Sequence, residues 1–591
     1  MNSIPSWQEL ESRADLVDLA PLGEASQSSL SKYSKPDDAQ RAVQNVGAAF
    51  AFHTEREANP WWRLDLKDPY PVAWIVVHNR PRFEAKAASL VTEISQDGVD
   101  WRVLHRNPGI FGSGQGGDPL VIAVPEGMNV RFVRLSLEAE EMFHLSRVQA
   151  FASRNPGVCV AHRIDGLGAR LLVMLNTMVF ADRHNVDFKF TWPVRSAEAA
   201  LHHAIESVES TFSSRFIAEH YLAELPHGIL RPQGDDRVRI AAMLGSGRPL
   251  LLAAKNIQSQ LRRLENDGRD SGFVKAFERI RFAPRLEDIR RAINAITLPP
   301  HPVAVHMRAG DIVYGDYRFS NEFTAKVISY PVARKILLDL LAEGRTPVLF
   351  SQDPGTGRLL AGEFGIPLGA DLVAGVTGNE LETAMAELFL MARCEGIFAG
   401  DSNFPIISAV VGAVPLVDPA ARFGGRTQVE IIRDGMAGML AAGVDGLQVA
   451  FARWSAVYYS TDDSIVDRVA YMEQAIANDP GNDFYRLIQA GLHFERGESV
   501  KADAILQDLY DRHADSKSFA GSGMRRFLRL FFTGTNPRTD TIVAPIRAGG
   551  EAGSHLGLYF TGLFQLVRKD TRGAKAWFRR LPQDGPPLKY C

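Results

Sequence analysis

The densest chemistry in the chain lies at His306-Met307-Arg308-Ala309-Gly310-Asp311, directly after the apolar run Val303-Ala304-Val305. A guanidinium at this position can hold two phosphate oxygens in its fork. Gly310 permits a tight turn, and Asp311 can brace Arg308 or accept a proton. The alternative for this hexapeptide alone is an ion pair between Arg308 and Asp311 closing the strand. A second stretch, Asp165-Gly166-Leu167-Gly168-Ala169-Arg170-Leu171, sets two glycines before a helix. Glycine allows close backbone approach, and a helix N-terminus offers N–H groups to an anion. It is not the dinucleotide fingerprint, because the third glycine is missing. Two further stretches add polar groups after apolar runs: Leu349-Phe350-Ser351-Gln352-Asp353 and Gly400-Asp401-Ser402-Asn403-Phe404. His162 and His306 each close an apolar run; His162 reads as a hydrogen-bonded structural histidine. Tyr314, Tyr317 and Arg318 follow the arginine loop, either shaping an acceptor cleft or lying on a surface loop.

These residues need strands to carry them. VCVAH (158–162), a glycine turn, a helical pattern through Leu171, Leu172, Leu175, Met178 and Val179 with its apolar members on one face, and the alternating VDFKFTW (186–192) make a βαβ signature. VAVHM (303–307), PVLFS (347–351) and GIFAG (396–400) resume it after Pro299-Pro300, separated by helical stretches such as ARKILLDLLAEG (333–344). In open α/β sheets ligands sit at the carboxyl ends of the strands, where the polar loops fall. The first 153 residues read differently, as short alternating strands (WIVVH, VTEIS, RFVRLSL, RVQAFA) between Gly/Pro/Asp/Asn clusters, a β-sandwich pattern. The chain beyond about residue 460 reads as helical hairpins turning at Gly497 and Gly573. The expected organisation is therefore a β-sandwich (1–153), two α/β domains (154–300 and 301–460) and an all-helical region (461–591).

Composition narrows the function. A net charge of −3 provides no global basic field for nucleic acid. Three scattered cysteines, Cys159, Cys394 and Cys591, form neither a disulfide scaffold nor a cysteine-type zinc site. The start carries no basic n-region with an apolar h-region, and no run of ~18 apolar residues suggests a membrane span. A cytoplasmic location is the expectation.

HTEREANPWWRLDL (53–66), PVAWIVVHNR (71–80), ISQDGVDW (94–101) and HLSRVQAF (144–151) resemble the discoidin-like F5/8 type C superfamily, with its galactose-binding-like sandwich. Fucose-binding lectins of the fucolectin type are the nearest group. The resemblance implies that His53 and Arg80 contact sugar hydroxyls, with Lys86 standing nearest a second family arginine. The family's calcium loop is replaced by RAVQNV (41–46), and Arg147 stands where a ligating glutamate is expected, so the resemblance implies no calcium site here.

DGLGARL followed by HMRAGD and GDSNF resembles the fucosyltransferase superfamily of GT-B architecture, which includes nodulation, protein O-fucosyl and α-1,2/α-1,6 enzymes; the likeness covers roughly 157–420. It implies two Rossmann-like domains and a GDP-sugar donor, GDP-fucose first. Arg308 would hold the β-phosphate, with His306 beside it. Asp401, Ser402, Asn403 and Phe404 would meet the diphosphate, Asp353 the ribose or guanine, and Gly166 and Gly168 would line the inter-domain cleft. Many members carry a second arginine where this chain has Ala309. No Asp-x-Asp motif is placed for a divalent ion; Asp235-Asp236 and Asp462-Asp463 are adjacent pairs in polar stretches. The expectation is an inverting, metal-independent transferase with no cofactor, its general base one of Asp165, Asp311 and Asp316. Two other readings stay open: a glycan-binding scaffold with a degenerate transferase core, and a transferase using another nucleotide sugar. The helical tail resembles tetratricopeptide repeats, a surface for a protein partner, or is a plain helical cap.

Overall fold

The computed structural model describes residues 4–35, 37–44, 49–195, 205–231, 237–252, 272–516, 518–532 and 538–582. Asp235, Asp236 and Cys591 lie outside the described residues. The chain forms two compact units. The first comprises 1–164, 172–192 and 218–276; the second comprises 165–171, 193–217 and 277–591. The glycine-loop segment 165–171 and the stretch 277–300, read above with the preceding α/β block, group with the second unit.

In the first unit, two antiparallel sheets form a β-sandwich. One orders Leu16–Asp18, Arg147–Ser153, Val72–His78 and Leu120–Ala123. The other orders Glu24–Gln27, Trp61–Tyr70, Val130–Leu137, Leu90–Ser95 and Arg102–Arg106. Period-2 alternation makes these strands two-faced: in Trp61–Tyr70, Trp62, Leu64 and Leu66 point inward while Trp61, Arg63 and Asp65 stay half-exposed. The buried Trp62 indole donates to the Ala39 carbonyl at 2.9 Å, satisfying its one polar atom. The same unit holds a parallel three-stranded sheet, Asp187–Phe190, Val158–Ala161 and Leu250–Leu252. Helix Leu167–His184 follows Val158–Ala161. Its residues from Gly168 to Ala181 are buried on every side, so it is a core helix and not the one-faced amphipath that the spacing suggested.

The second unit is built on a parallel sheet ordered Thr346–Ser351, Pro302–Met307, Gly396–Ala399 and Leu416–Val417. Pro302–Met307 is central, which is why it is an uninterrupted apolar run. All polar stretches after these strands emerge at their carboxyl ends.

Helices from Gly446–Tyr459 onward complete this unit. Asp483–Glu495 and Ser499–His513 form the expected hairpin, with Gly497 at φ 73°. In the last hairpin, His555–Val567 and Thr571–Phe578, the turn falls at Lys569 (φ 64°), and Gly573 lies inside the final helix. The helices are not an independent appendage. Ala309, Ile312, Val313 and Val327 share one hydrophobic core with Trp454, Phe484, Tyr485 and Phe560. The Trp454 indole donates to Thr324 Oγ1 at 3.0 Å, and Asn482 donates to the Arg318 carbonyl at 3.2 Å. Among the described residues, no helix is long and apolar enough to cross a membrane.

Candidate functional site

Arg308 leaves the central strand and turns back. Its Nη2 donates to both carboxylate oxygens of Asp311, at 2.9 and 3.0 Å, in a largely buried pair. The strand-end ion pair is therefore present. It does not consume the guanidinium, since Arg308 Nε is buried without a partner. Asp311 acts as a brace, which argues against the free general base that its position suggested.

His306 is fully enclosed, with Nδ1 unpartnered and its ring 5.9 Å from that of Phe404. Burial, with Arg308 nearby, pulls its pKa down to about 3, so it is a neutral imidazole. Ser402 is the N-cap residue of helix Asn403–Gly412, yet its hydroxyl makes no capping bond and is buried without a partner. Asn403 and Phe404 begin that helix, and Asp401 is exposed beside them. Gly168, in the first turn of helix Leu167–His184, lies directly against this start: a Cβ there would sit 2.9 Å from Phe404 Cα and 3.0 Å from the Asn403 carbonyl. Two helix N-termini thus meet within the second unit, near the buried and unpartnered His306 Nδ1 and Ser402 Oγ. Gly166 faces open space and is not required for packing.

Asp353 is placed otherwise than the sequence suggested. It caps helix Pro354–Phe364, and its carboxylate accepts from Thr356 N (3.1 Å), Thr356 Oγ1 (2.6 Å), Tyr314 Oη (2.5 Å) and Gln448 Nε2 (2.9 Å). Burial raises its pKa, but the bonds from Thr356 and Tyr314 outweigh burial and hold it below the usual carboxylate value. With its lone pairs committed inside the protein, it is a structural tie and not a free ribose or base acceptor.

Tyr314, Tyr317 and Arg318 pack toward the helical array instead of forming an isolated surface loop. Tyr317 meets Phe323 edge-on at 4.5 Å, and Arg318 Nε lies 3.4 Å from Asp479 Oδ2. Asp316 is exposed. His162 Nδ1 pairs with Thr191 Oγ1 at 2.7 Å, the structural role expected.

Two cations here escaped the sequence. Arg170 spans the Asp165 and Pro193 carbonyls, at 2.7 Å each, and fixes the glycine loop. Lys326, at the end of the 3-10 turn Thr324–Lys326, lies near enough to feel the charges of Arg308, Asp401 and Asp311, and its segment carries no motif. Ala309 is buried in the core shared with the helices, so a second arginine at that position has no room to stay solvated.

In the sandwich, His53 is buried. Its Nδ1 sits 3.0 Å from Ser31 Oγ and 2.9 Å from the Thr54 carbonyl. The Arg80 guanidinium lies over Phe50 (4.5 Å) and Phe83 (4.1 Å), with no side-chain acceptor among the described residues. Lys86 is tied to Glu141 at 3.0 Å, so it is not an open counterpart to Arg80. His144, which no motif singled out as a site residue, completes the group. Its ring is 5.3 Å from His53 and 6.0 Å from Phe83, and its Nδ1 is buried without a partner. Tyr33 and Phe83 leave 51% and 43% of their surface exposed around it. Arg41 donates to the Ala51 carbonyl at 3.1 Å, and Arg147 pairs with Glu11 at 2.6 Å. Among the described residues no three His, Cys, Asp or Glu side chains are grouped to hold a metal.

The family model of the F5/8 type C domain matches residues 24–148. Fucolectin of Anguilla anguilla is 28% identical over 104 residues, 16% of this chain and 62% of that protein. Among solved structures, an f-lectin (fucolectin) from the serum of the striped bass Morone saxatilis is 25% identical, with a TM-score of 0.20, over 23% of this chain and 47% of that one. The lectin domain of lectinolysin, solved with Lewis B antigen, is 23% identical, with a TM-score of 0.19, over 23% of this chain and 96% of that one. The chain spans 62% of the length of the curated relative and 47% of the bass lectin. Residues 24–148 are thus an F5/8 type C, discoidin-like module, similar in sequence to fucolectin.

The glycine contrast gives one expected outcome. Gly168→Ala must push a Cβ into the Asn403–Phe404 backbone and should cost about 1–3 kcal/mol as overpacking. Gly166→Ala should be neutral within about 0.5 kcal/mol; equilibrium denaturation of the full-length variants checks both.

The buried histidine gives another. Burial, then the charge of Arg80, hold His144 at a pKa of about 3, below its unfolded value of about 6.5. The unfolded chain therefore binds the extra proton between these values, and stability falls as pH drops through that window. The loss from this one group is about 2 kcal/mol by about pH 5. His144→Gln should flatten the acid limb of the melting-temperature profile; an unchanged slope would mean that other groups set it.

Proposed function

We propose that the chain is a glycan-directed glycosyltransferase of the fucosyltransferase type, with GT-B architecture, using a GDP-sugar as donor and a glycan or glycoconjugate as acceptor. The observation that carries this is the group of buried, unpartnered polar atoms, Arg308 Nε, His306 Nδ1 and Ser402 Oγ, beside the junction of Gly168 with the start of helix Asn403–Gly412. A guanidinium and two helix N-termini favour a polyanion, and the neutral His306 adds hydrogen bonding without competing charge.

In this reading Arg308, held by Asp311, stabilises negative charge on the departing diphosphate. The acceptor oxygen attacks the anomeric carbon from the opposite side as the bond to the diphosphate oxygen breaks, and that oxygen keeps the electron pair. The configuration inverts. A carboxylate takes the acceptor proton. Asp311, Asp165 and Asp316 are the candidates; Asp311 is bonded by Arg308, and Asp165 lies in the loop that carries Gly168.

The sandwich module is proposed to bind the acceptor glycan. Arg80 supplies donors from between two aromatic rings, His53 and His144 supply neutral imidazoles, and Tyr33 and Phe83 supply apolar rims for a sugar face. Tethering such a module to a transferase raises the local acceptor concentration. A second reading, a non-catalytic glycan-binding scaffold, is favoured by one observation: the Asp353 carboxylate is committed to internal bonds.

Nucleotide binding separates the two. GDP should raise the melting temperature of the full chain while UDP, dTDP and CMP do not, and Arg308→Ala should remove the GDP shift. A shift with none of the four would support the scaffold. On a glycan array, full-length protein should bind fucosylated or related glycans, and Arg80→Ala should lose about tenfold or more in affinity. Silence of the unaltered chain on every glycan would overturn the lectin role.

A further inference from the structure

Lys326 is the last residue of the short 3-10 turn Thr324–Lys326, four residues before the helix Tyr330–Ala342. Its backbone is pressed against the strand-end loop. Gly400 lies so close that a Cβ there would meet the Ala325 carbonyl oxygen at 2.5 Å and the Lys326 carbonyl carbon at 2.6 Å. Asp401 N donates to that Ala325 oxygen at 3.2 Å. The peptide leading into Ser402 is thereby locked to the peptide carrying Lys326. On the other side, Val327 is anchored in the core that also holds Ala309. The ammonium lies 4.2 Å over the Phe323 ring, which is packed edge-on by Tyr317. Among the described residues no carboxylate comes within ion-pair distance of Lys326 Nζ. It nevertheless feels Arg308, Asp401, Asp311 and Glu322, and burial followed by Arg308 lowers its pKa.

A half-buried ammonium directed by an aromatic ring, close to an arginine and without its own counter-ion, is costly unless an anion joins it. Asp311 is already committed to Arg308. We propose that Lys326 is the second cation of the diphosphate grip, contacting the terminal phosphate of a nucleoside diphosphate together with Arg308. The inference rests on the nucleotide-binding reading above and deepens it. It also accounts for Ala309: the position next to Arg308 belongs to the hydrophobic core, and the second positive charge arrives from a separate segment.

The test compares GDP with GMP by calorimetry on the full chain and its Lys326→Gln and Lys326→Arg variants. Losing one charge-assisted contact should weaken GDP by about tenfold or more in Lys326→Gln while changing GMP by less than about twofold, with Lys326→Arg recovering most of the GDP affinity. A variant-free measurement guards against misfolding: amine acetylation of Lys326 in the unaltered chain, read by mass spectrometry, should be slowed by GDP and not by GMP. Unaltered protein that binds GDP, with equal affinity in Lys326→Gln or with no protection of Lys326, overturns this inference alone. Unaltered protein that binds no GDP overturns the nucleotide-binding reading, and this inference with it.

Discussion

The second unit depends on one buried carboxylate. Asp353 accepts hydrogen bonds from its own helix through Thr356, from the arginine loop through Tyr314 and from helix Gly446–Tyr459 through Gln448. Three segments far apart in sequence are fixed by two oxygen atoms. Such a network is stable only when every member is satisfied, because a half-paired buried carboxylate costs several kcal/mol. The consequence reaches Arg308. Its loop is held from one side by Tyr314 and from the other by Ala309, Ile312 and Val313 in the core of the helical array. A guanidinium whose backbone is set this way, and whose Nη2 is set by Asp311, loses little conformational entropy on meeting a ligand.

That arrangement changes the meaning of the helical tail. Read as repeats, it is a surface for a partner. Packed as it is, with Trp454 donating to Thr324, Asn482 to the Arg318 carbonyl and Asn321 Nδ2 lying 3.1 Å from Thr539 Oγ1, it is the wall against which residues 309–327 fold. The helices and the strand-end loop share one hydrophobic core, and neither buries its apolar face without the other.

Much of this was legible in the sequence. The apolar runs gave the parallel strands because both faces of such strands are covered, and alternation gave the sandwich because one face is wet. The glycine and arginine loops were legible because their chemistry is local. What was not legible depends on partners that no local pattern names. Gln448 lies 95 residues from the Asp353 it completes, so the acid read as a free ligand group. Lys326 lies in a segment without periodicity, and only the close approach of Gly400 brings it to the cluster. In the last hairpin glycine marks the turn by type alone, whereas Lys569 adopts the left-handed conformation and Gly573 bonds inside the helix to the Asp570 cap.

The two arginines at the centre of the two candidate sites are held by opposite means, and the difference bears on what each can bind. Arg308 is braced by a carboxylate, which fixes its direction and offsets part of its charge; a second cation is then needed before a dianion is matched, and Lys326 lies close enough to feel the Arg308 charge. Arg80 is braced by two aromatic faces, which orient the guanidinium without supplying a hydrogen-bond acceptor. Its N–H groups remain available as directional donors, and the neighbouring imidazoles are kept neutral by burial. An array of fixed donors and neutral acceptors beside exposed rings suits a hydroxyl-bearing, uncharged ligand. A cluster of two cations at helix N-termini suits a phosphate. The same side chain is thus held in two ways, by a ring that leaves its donors open in one unit and by a carboxylate that offsets its charge in the other.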